Sequence, residues 1–211
     1  MTKDSVEIIE KKTSFKDYIQ VDHYLLKHVL HDGGWSKVIS REVVERGHVA
    51  AALLYDPDLD LFVLIEQFRT AAFAARQSPW WGDDFSPWMV ECVAGIIEDG
   101  ESPEEMCRRE SVEEANCPIS DIYPISQYIS SPGCMTETVF LFCGRVDASN
   151  AGGVFGLEEE GEDIRVFTAT PEEAFEMLEN GRIVNSMTIL AVQWFQLNRN
   201  KLRHIWLGNA D

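Results

Sequence analysis

Eight carboxylates fall within the stretch GIIEDGESPEEMCRRESVEEAN, Gly95 to Asn116, and three of them, Glu110, Glu113 and Glu114, lie within little more than one helical turn. Like charges spaced i and i+4 on a helix repel by roughly 0.2–0.5 kcal/mol per pair. Either the cluster is a solvated face, or a cation belongs against it. Carboxylate oxygens are hard donors suited to Mg2+ or Mn2+, and a divalent ion converts their repulsion into attraction.

A helix must carry these groups, and its signals are local. Ser102 is placed to cap, Pro103 suits the first helical position, and Glu105 completes a capping box. Asn116 tolerates the left-handed conformation that ends a helix, and Pro118 stops it. The spacing predicts a helix over residues 103–115. At 100° per residue, Cys107, Ser111, Val112 and Ala115 gather on one side, small enough to lie close against a sheet, with the three glutamates turned away from it.

The pattern resembles the Nudix box, G-x5-E-x7-R-E-U-x-E-E-x-G-U, where U is a bulky apolar residue. Gly95 is followed after five residues by Glu101, after seven more by Arg109-Glu110, and then in register by Glu113-Glu114. The departures are Asn116 for the last glycine, Cys117 for the last apolar residue and Ser111 at the first U position. Beyond the box, VISREVVERGHVAALLYDP, VLIEQFRTAAF, SSPGCMTE, GLEEEGEDIRV and ILAVQWFQL are similar to segments of the bacterial ADP-ribose pyrophosphatases, and Pro132 stands fifteen positions past the box, a feature of that subfamily.

The resemblance implies a Mg2+-dependent (or Mn2+-dependent) hydrolase that splits ADP-ribose into AMP and ribose 5-phosphate. It implies Glu110 and Glu114 as the main metal ligands, with the Ala94 carbonyl, Glu113 less directly, and Glu162. Arg109 would hold Glu101 and the ligating carboxylates in place. The loop glutamate Glu160 would serve as general base, with Glu158 and Glu159 near enough to leave that assignment open. Arg69 could clamp a phosphate or simply form a surface ion pair. Arg41 and Glu42 would hold the adenine end, Tyr18 would stack on the base from a partner subunit or merely pack, and Ser131 and Glu137 would meet the terminal ribose. The family precedent is an α+β Nudix fold, a mixed sheet between helices, preceded by an antiparallel strand subdomain (residues 1–45) that exchanges across a homodimer; residues 46–211 would form the hydrolase domain.

The remainder of the chain fits this frame. Its 211 residues suit one substantial domain with room for a small extra element. A net charge of −18 argues against nucleic acid or an anionic membrane as partner, and means that a diphosphate needs bridging cations. No run of about 18 apolar residues exists to span a membrane, and the charged N-terminus lacks a signal-peptide core. Five cysteines without a C-x-x-C pair fit a reducing cytoplasm. The apolar runs HVAALLYD and LFVLIEQFR flank the turn PDLD as a hairpin, MVECVAGII reads as one buried strand, and QSPWWGDDFSPW as a loop whose tryptophans Trp80, Trp81 and Trp88 could cover a nucleotide or seal a dimer. Helices are expected at PEEAFEMLENG and NSMTILAVQWFQLNRNKL. Many strands and three helices in no regular alternation give an α+β class. Two further readings stay open: hydrolysis of another nucleoside diphosphate sugar or dinucleotide, and a non-catalytic nucleotide sensor.

Overall fold

The computed structural model describes residues 5–82, 85–157 and 161–208. Two compact units emerge: one contains the residues up to His48 together with Tyr128–Val139, the other Val49–Gln127 and the chain from Phe140 onward.

In the first unit, β1 (Val6–Lys16), β2 (Gln20–His28) and β3 (Ile39–Glu45) form an antiparallel sheet in that order. Every residue of β1 is exposed, the apolar Val6, Ile8, Ile9 and Phe15 included. Beyond β3, the Val44 N–H donates to the Cys134 carbonyl (2.8 Å) and the Val44 carbonyl accepts from the Thr136 N–H (3.2 Å). These bonds tie the 131–137 segment to the sheet.

The second unit is built around β4 (Val49–Asp56), all eight residues of which are buried. A strand covered on both faces reads as a continuous apolar run, which is why HVAALLYD lacks alternation. Ala50, Ala52 and Leu54 join the core cluster of Met106 and Cys107 on one face, while Tyr55 packs edge-on to Phe195 on the other (centroids 4.6 Å). The alanines let the flanking helices approach closely.

β4 and β5 (Leu61–Phe68) form the expected hairpin, but they pair only next to the turn, from Leu54↔Val63 to Asp56↔Leu61. They then splay, and the segment MVECVAGI fills the fork. Its first part, β6 (Trp88–Glu91), pairs with β5, and its second, β7 (Val93–Ile96), pairs with β4. The single strand expected here is therefore two. The break falls at Cys92, whose N–H leaves the ladder to donate to Thr188 Oγ1 (2.9 Å).

The full sheet runs β10-β11-β5-β4-β9-β8, adding β8 (Asp121–Ile129), β9 (Thr138–Arg145), β10 (Gly153–Phe155) and β11 (Ile164–Ala169). Among the described residues four helices occur, where three were expected. The addition is the six-residue α1 (Thr70–Ala75), directly after β5. A further addition is β10, a three-residue strand that the sequence did not predict. The remaining helices are α2 (Pro103–Glu113), α3 (Pro171–Glu179) and α4 (Ser186–Leu207). α2 lies on β4 and β7, and α4 on β4 and β6. The class is α+β.

Candidate active site

The start of α2 is fixed by the predicted capping box: Ser102 Oγ accepts from the Glu105 N–H (3.2 Å) and Glu105 Oε2 from the Ser102 N–H (2.8 Å). Each such cap contributes about 1 kcal/mol. Its end is fixed by Asn116, held at φ 49, which lets the Cys117 N–H reach the Ser111 carbonyl (2.9 Å). Between them Met106, Cys107 and Ser111 are buried, and Ala115 just past the helix is as well. Val112, grouped with these on the helical wheel, is instead 48% exposed: it sits at the margin of the arc, and Met106 takes the place expected for it.

The carboxylates differ in environment. Glu114, the C-cap residue, is 3% exposed and accepts a hydrogen bond from the Ala94 N–H (3.1 Å). Burial, then the charges of Glu110 and Glu162, push its carboxyl well above the usual carboxylate range against the opposing Ala94 bond and Arg69 charge. Burial also raises Glu110, against the pull of Arg109. Glu110 lies over Gly95 so closely that a Cβ there would stand 2.0 Å from its Oε1. The first glycine of the box is thus a matter of space, and its backbone needs no left-handed φ.

Arg109 binds three acids at once. Its Nε and Nη2 donate to the two oxygens of Glu101 (2.9 and 3.1 Å), and Nη1 donates to Glu110 (2.7 Å) and Glu113 (3.0 Å). A planar five-donor group makes this bridge; a lysine ammonium has no such fork. The bonds to Glu101 hold that carboxyl below its usual range. Glu110 and Glu113 thus share Arg109 Nη1, and burial still raises Glu110 as it raises Glu114.

Glu162 is fixed at the base of the acidic loop, where its Oε2 accepts from the Leu157 N–H (3.0 Å). Its charge raises both Glu110 and Glu114, so it shares their field. Arg69 lies at the end of β5. Its Nε and Nη2 donate to one oxygen of Glu91 (2.9 and 2.7 Å), and it too is coupled electrostatically to Glu114 and Glu162.

Comparison with known proteins decides the family. The NUDIX domain family model matches residues 45–186. This chain belongs to the Nudix family. It is 40% identical over 204 residues to the ADP-ribose pyrophosphatase of Escherichia coli (strain K12), covering 97% of this chain and 94% of that protein. The ADP-ribose pyrophosphatase of Haemophilus influenzae is 35% identical over 205 residues, covering 97% and 92%. A GDP-mannose pyrophosphatase of Enterobacter sp. is 31% identical over 189 residues, covering 87% and 94%. Among solved structures, an ADP compounds hydrolase superposes with a TM-score of 0.67 at 14% identity, covering 94% of this chain and 97% of the other, which shows a shared fold.

Ala94 and the Nudix box residues Arg109, Glu110, Glu113 and Glu114 thus belong with Glu162 and Arg69 to the second unit. Among the described residues no three acidic, histidine or cysteine side chains already converge as a complete metal shell. Glu158, Glu159 and Glu160 lie outside the described residues. The other predicted contacts belong to the first unit. Tyr18 is 79% exposed in the β1–β2 turn, and Arg41 and Glu42 lie on β3, opposite Tyr24 and His23. Ser131 stands at the turn before Cys134, and Glu137 is buried within 3.2 Å of Arg46 Nε, without the alignment of a hydrogen bond. Trp80 and Trp81 follow α1 and are exposed, while Trp88 opens β6 and packs edge-on to Phe68. Glu91, Gln67 and Asn185 were not anticipated as part of the site. Their only signal is a charged or polar residue inside an apolar strand or at a helix cap.

Proposed function

We infer that this chain hydrolyses the pyrophosphate of ADP-ribose to AMP and ribose 5-phosphate, with Mg2+, or alternatively Mn2+, as the working cation. The observation that carries the reading is the pair Glu110 and Glu114, both desolvated, mutually repelling and incompletely neutralised by protein cations. Such a donor set of hard oxygens fits a divalent ion. The choice of substrate follows the ADP-ribose pyrophosphatases that match almost end to end.

Glu110 and Glu114 would hold the cation, with Glu162, the Ala94 carbonyl and, less directly, Glu113 as further donors. The ion, once bound, would neutralise diphosphate oxygens and lower the pKa of the attacking water. Arg109 keeps Glu110 in place through its bonds to Glu101 and Glu113. Arg69 offers Nη1, which makes no hydrogen bond among the described residues, to a phosphate oxygen. Glu160 is the candidate to take the proton of the water. Tyr18, Arg41, Glu42, Ser131 and Glu137 are proposed for the adenosine and ribose ends.

We place the activity in the cytoplasm, on the strength of five free cysteines, and in a homodimer, because the exposed apolar residues of β1 call for a cover. No helix of the described residues is long and apolar enough to cross a membrane. The likeness to a GDP-mannose pyrophosphatase supports a second reading, another nucleoside diphosphate sugar as substrate. Turnover of ADP-ribose, GDP-mannose, ADP-glucose and NADH, with products identified by mass, separates the two. Highest kcat/KM on ADP-ribose with AMP released is expected; preference for GDP-mannose would replace the first reading by the second, and binding without cleavage would leave a sensor.

A further inference from the structure

Glu91 is the last residue of the apolar strand β6, 3% exposed, yet both its oxygens are occupied. Oε2 accepts from Arg69 Nε and Nη2 (2.9 and 2.7 Å) and from Gln67 Nε2 (3.3 Å). Oε1 accepts from Asn185 Nδ2 (2.7 Å). Asn185 is also the N-cap of α4, where its Oδ1 accepts from the Met187 and Thr188 N–H groups (2.9 and 3.2 Å). Thr188 Oγ1 in turn accepts from the N–H of Cys92, the residue after Glu91. The strand break and the helix start therefore clamp one carboxylate between them.

Burying a carboxylate is costly unless it is paired, so its place here needs a reason. Replacing a whole buried ion pair by packed apolar residues is often neutral or stabilising, so stability alone does not call for this one. What Glu91 does is occupy the Nε–Nη2 edge of Arg69 and fix the plane of the guanidinium. Among the described residues, the competing anions to which Arg69 is already coupled are Glu114 and Glu162. Without Glu91 the guanidinium would be free to pair with them.

We propose that Glu91 and Asn185 are positioning residues: they keep Arg69 off the metal carboxylates and present its Nη1 edge to the substrate diphosphate. The proposal rests on the inferred pyrophosphate hydrolysis.

The test uses the full chain as wild type, E91Q, N185S, R69A and the double variant E91Q/R69A. Three quantities are read: KM and kcat for ADP-ribose, Kd for α,β-methylene-ADP-ribose with Mg2+ by calorimetry, and the Mg2+ concentration giving half-maximal rate. Serine still caps α4 but is too short to reach Glu91, so N185S separates positioning from helix stability. In E91Q and N185S, KM and Kd should rise about tenfold, the scale of one charge-assisted hydrogen bond, with a smaller change in kcat. E91Q should also need more Mg2+, because Arg69 then competes for Glu114, whereas R69A should not. The double variant should be no worse than R69A alone. Additive losses in the double variant, or folded E91Q with wild-type KM and Kd, would overturn the proposal. If wild type binds the analogue but does not cleave ADP-ribose, the hydrolysis reading falls while the Glu91–Arg69 coupling is still measured in Kd. Failure of wild type to bind the analogue overturns both.

Discussion

At the scale of the residue, Glu114 combines deep burial with an acceptor role toward the Ala94 N–H and with repulsion from Glu110 and Glu162. Replacing it by glutamine keeps the acceptor and removes the charge. Glu114→Gln should therefore fold, with a metal-free melting temperature at or above wild type, and lose the stabilisation that Mg2+ gives. If the ion supplies several kcal/mol at the transition state, kcat should fall about a thousandfold; near-wild-type turnover would remove Glu114 from the metal site. The same shifts set a pH dependence. Glu110 and Glu114 titrate above their ordinary value of 4.5 in the folded protein. Their contribution to stability is thus complete below that value and is lost as pH rises through the raised ones. Mg2+ needs the deprotonated carboxylates, so the rise in melting temperature it produces should grow from about pH 5 to about pH 8. A shift independent of pH would contradict the assignment. The box glutamates were legible because their spacing is a fixed chemical pattern within one helix. Glu91 was not, because its partners Arg69 and Asn185 lie 22 and 94 residues away in sequence.

At the scale of the element, α2 and β7 meet where Gly95 passes beneath Glu110. The backbone at Gly95 is ordinary, so alanine there is excluded by contact and not by conformation. Gly95→Ala should push Glu110 out of place, raising the Mg2+ concentration needed for activity more than it lowers thermal stability, and titrations of rate against Mg2+ alongside thermal melts check this. Equal Mg2+ requirement in the variant and wild type would show that Glu110 does not depend on this approach. The cap of α2 is short-range and was readable in Ser102-Pro103-Glu104-Glu105; the structure shows the same pattern opening α3 in Thr170-Pro171-Glu172-Glu173. The fork that β6 and β7 fill was not, because an apolar run looks the same whether it pairs with one neighbour or changes partner midway. The break that accompanies the change of partner carries the Cys92–Thr188 bond across 96 residues.

At the scale of the molecule, the first unit poses the outstanding physical problem. β1 is an edge strand of 11 residues, exposed throughout, with Ile8 at 57% and Phe15 at 52% exposure. Long apolar edges left open are sites of association. A second copy of the chain is the cover proposed here. Deleting the residues before about position 45 should abolish the dimer, but it also removes Val44, whose backbone holds the 131–137 segment. Ile8→Glu with Phe15→Glu is the cleaner change, since it leaves that tether and the β1–β2 ladder in place. Light scattering should then report a monomer whose melting temperature is lowered. If Tyr18 stacks on the base from the partner subunit, KM for ADP-ribose should rise more than kcat falls. A double variant that remains dimeric would exclude β1 as the interface, and a monomer with unchanged KM would exclude a contribution of the partner to the site.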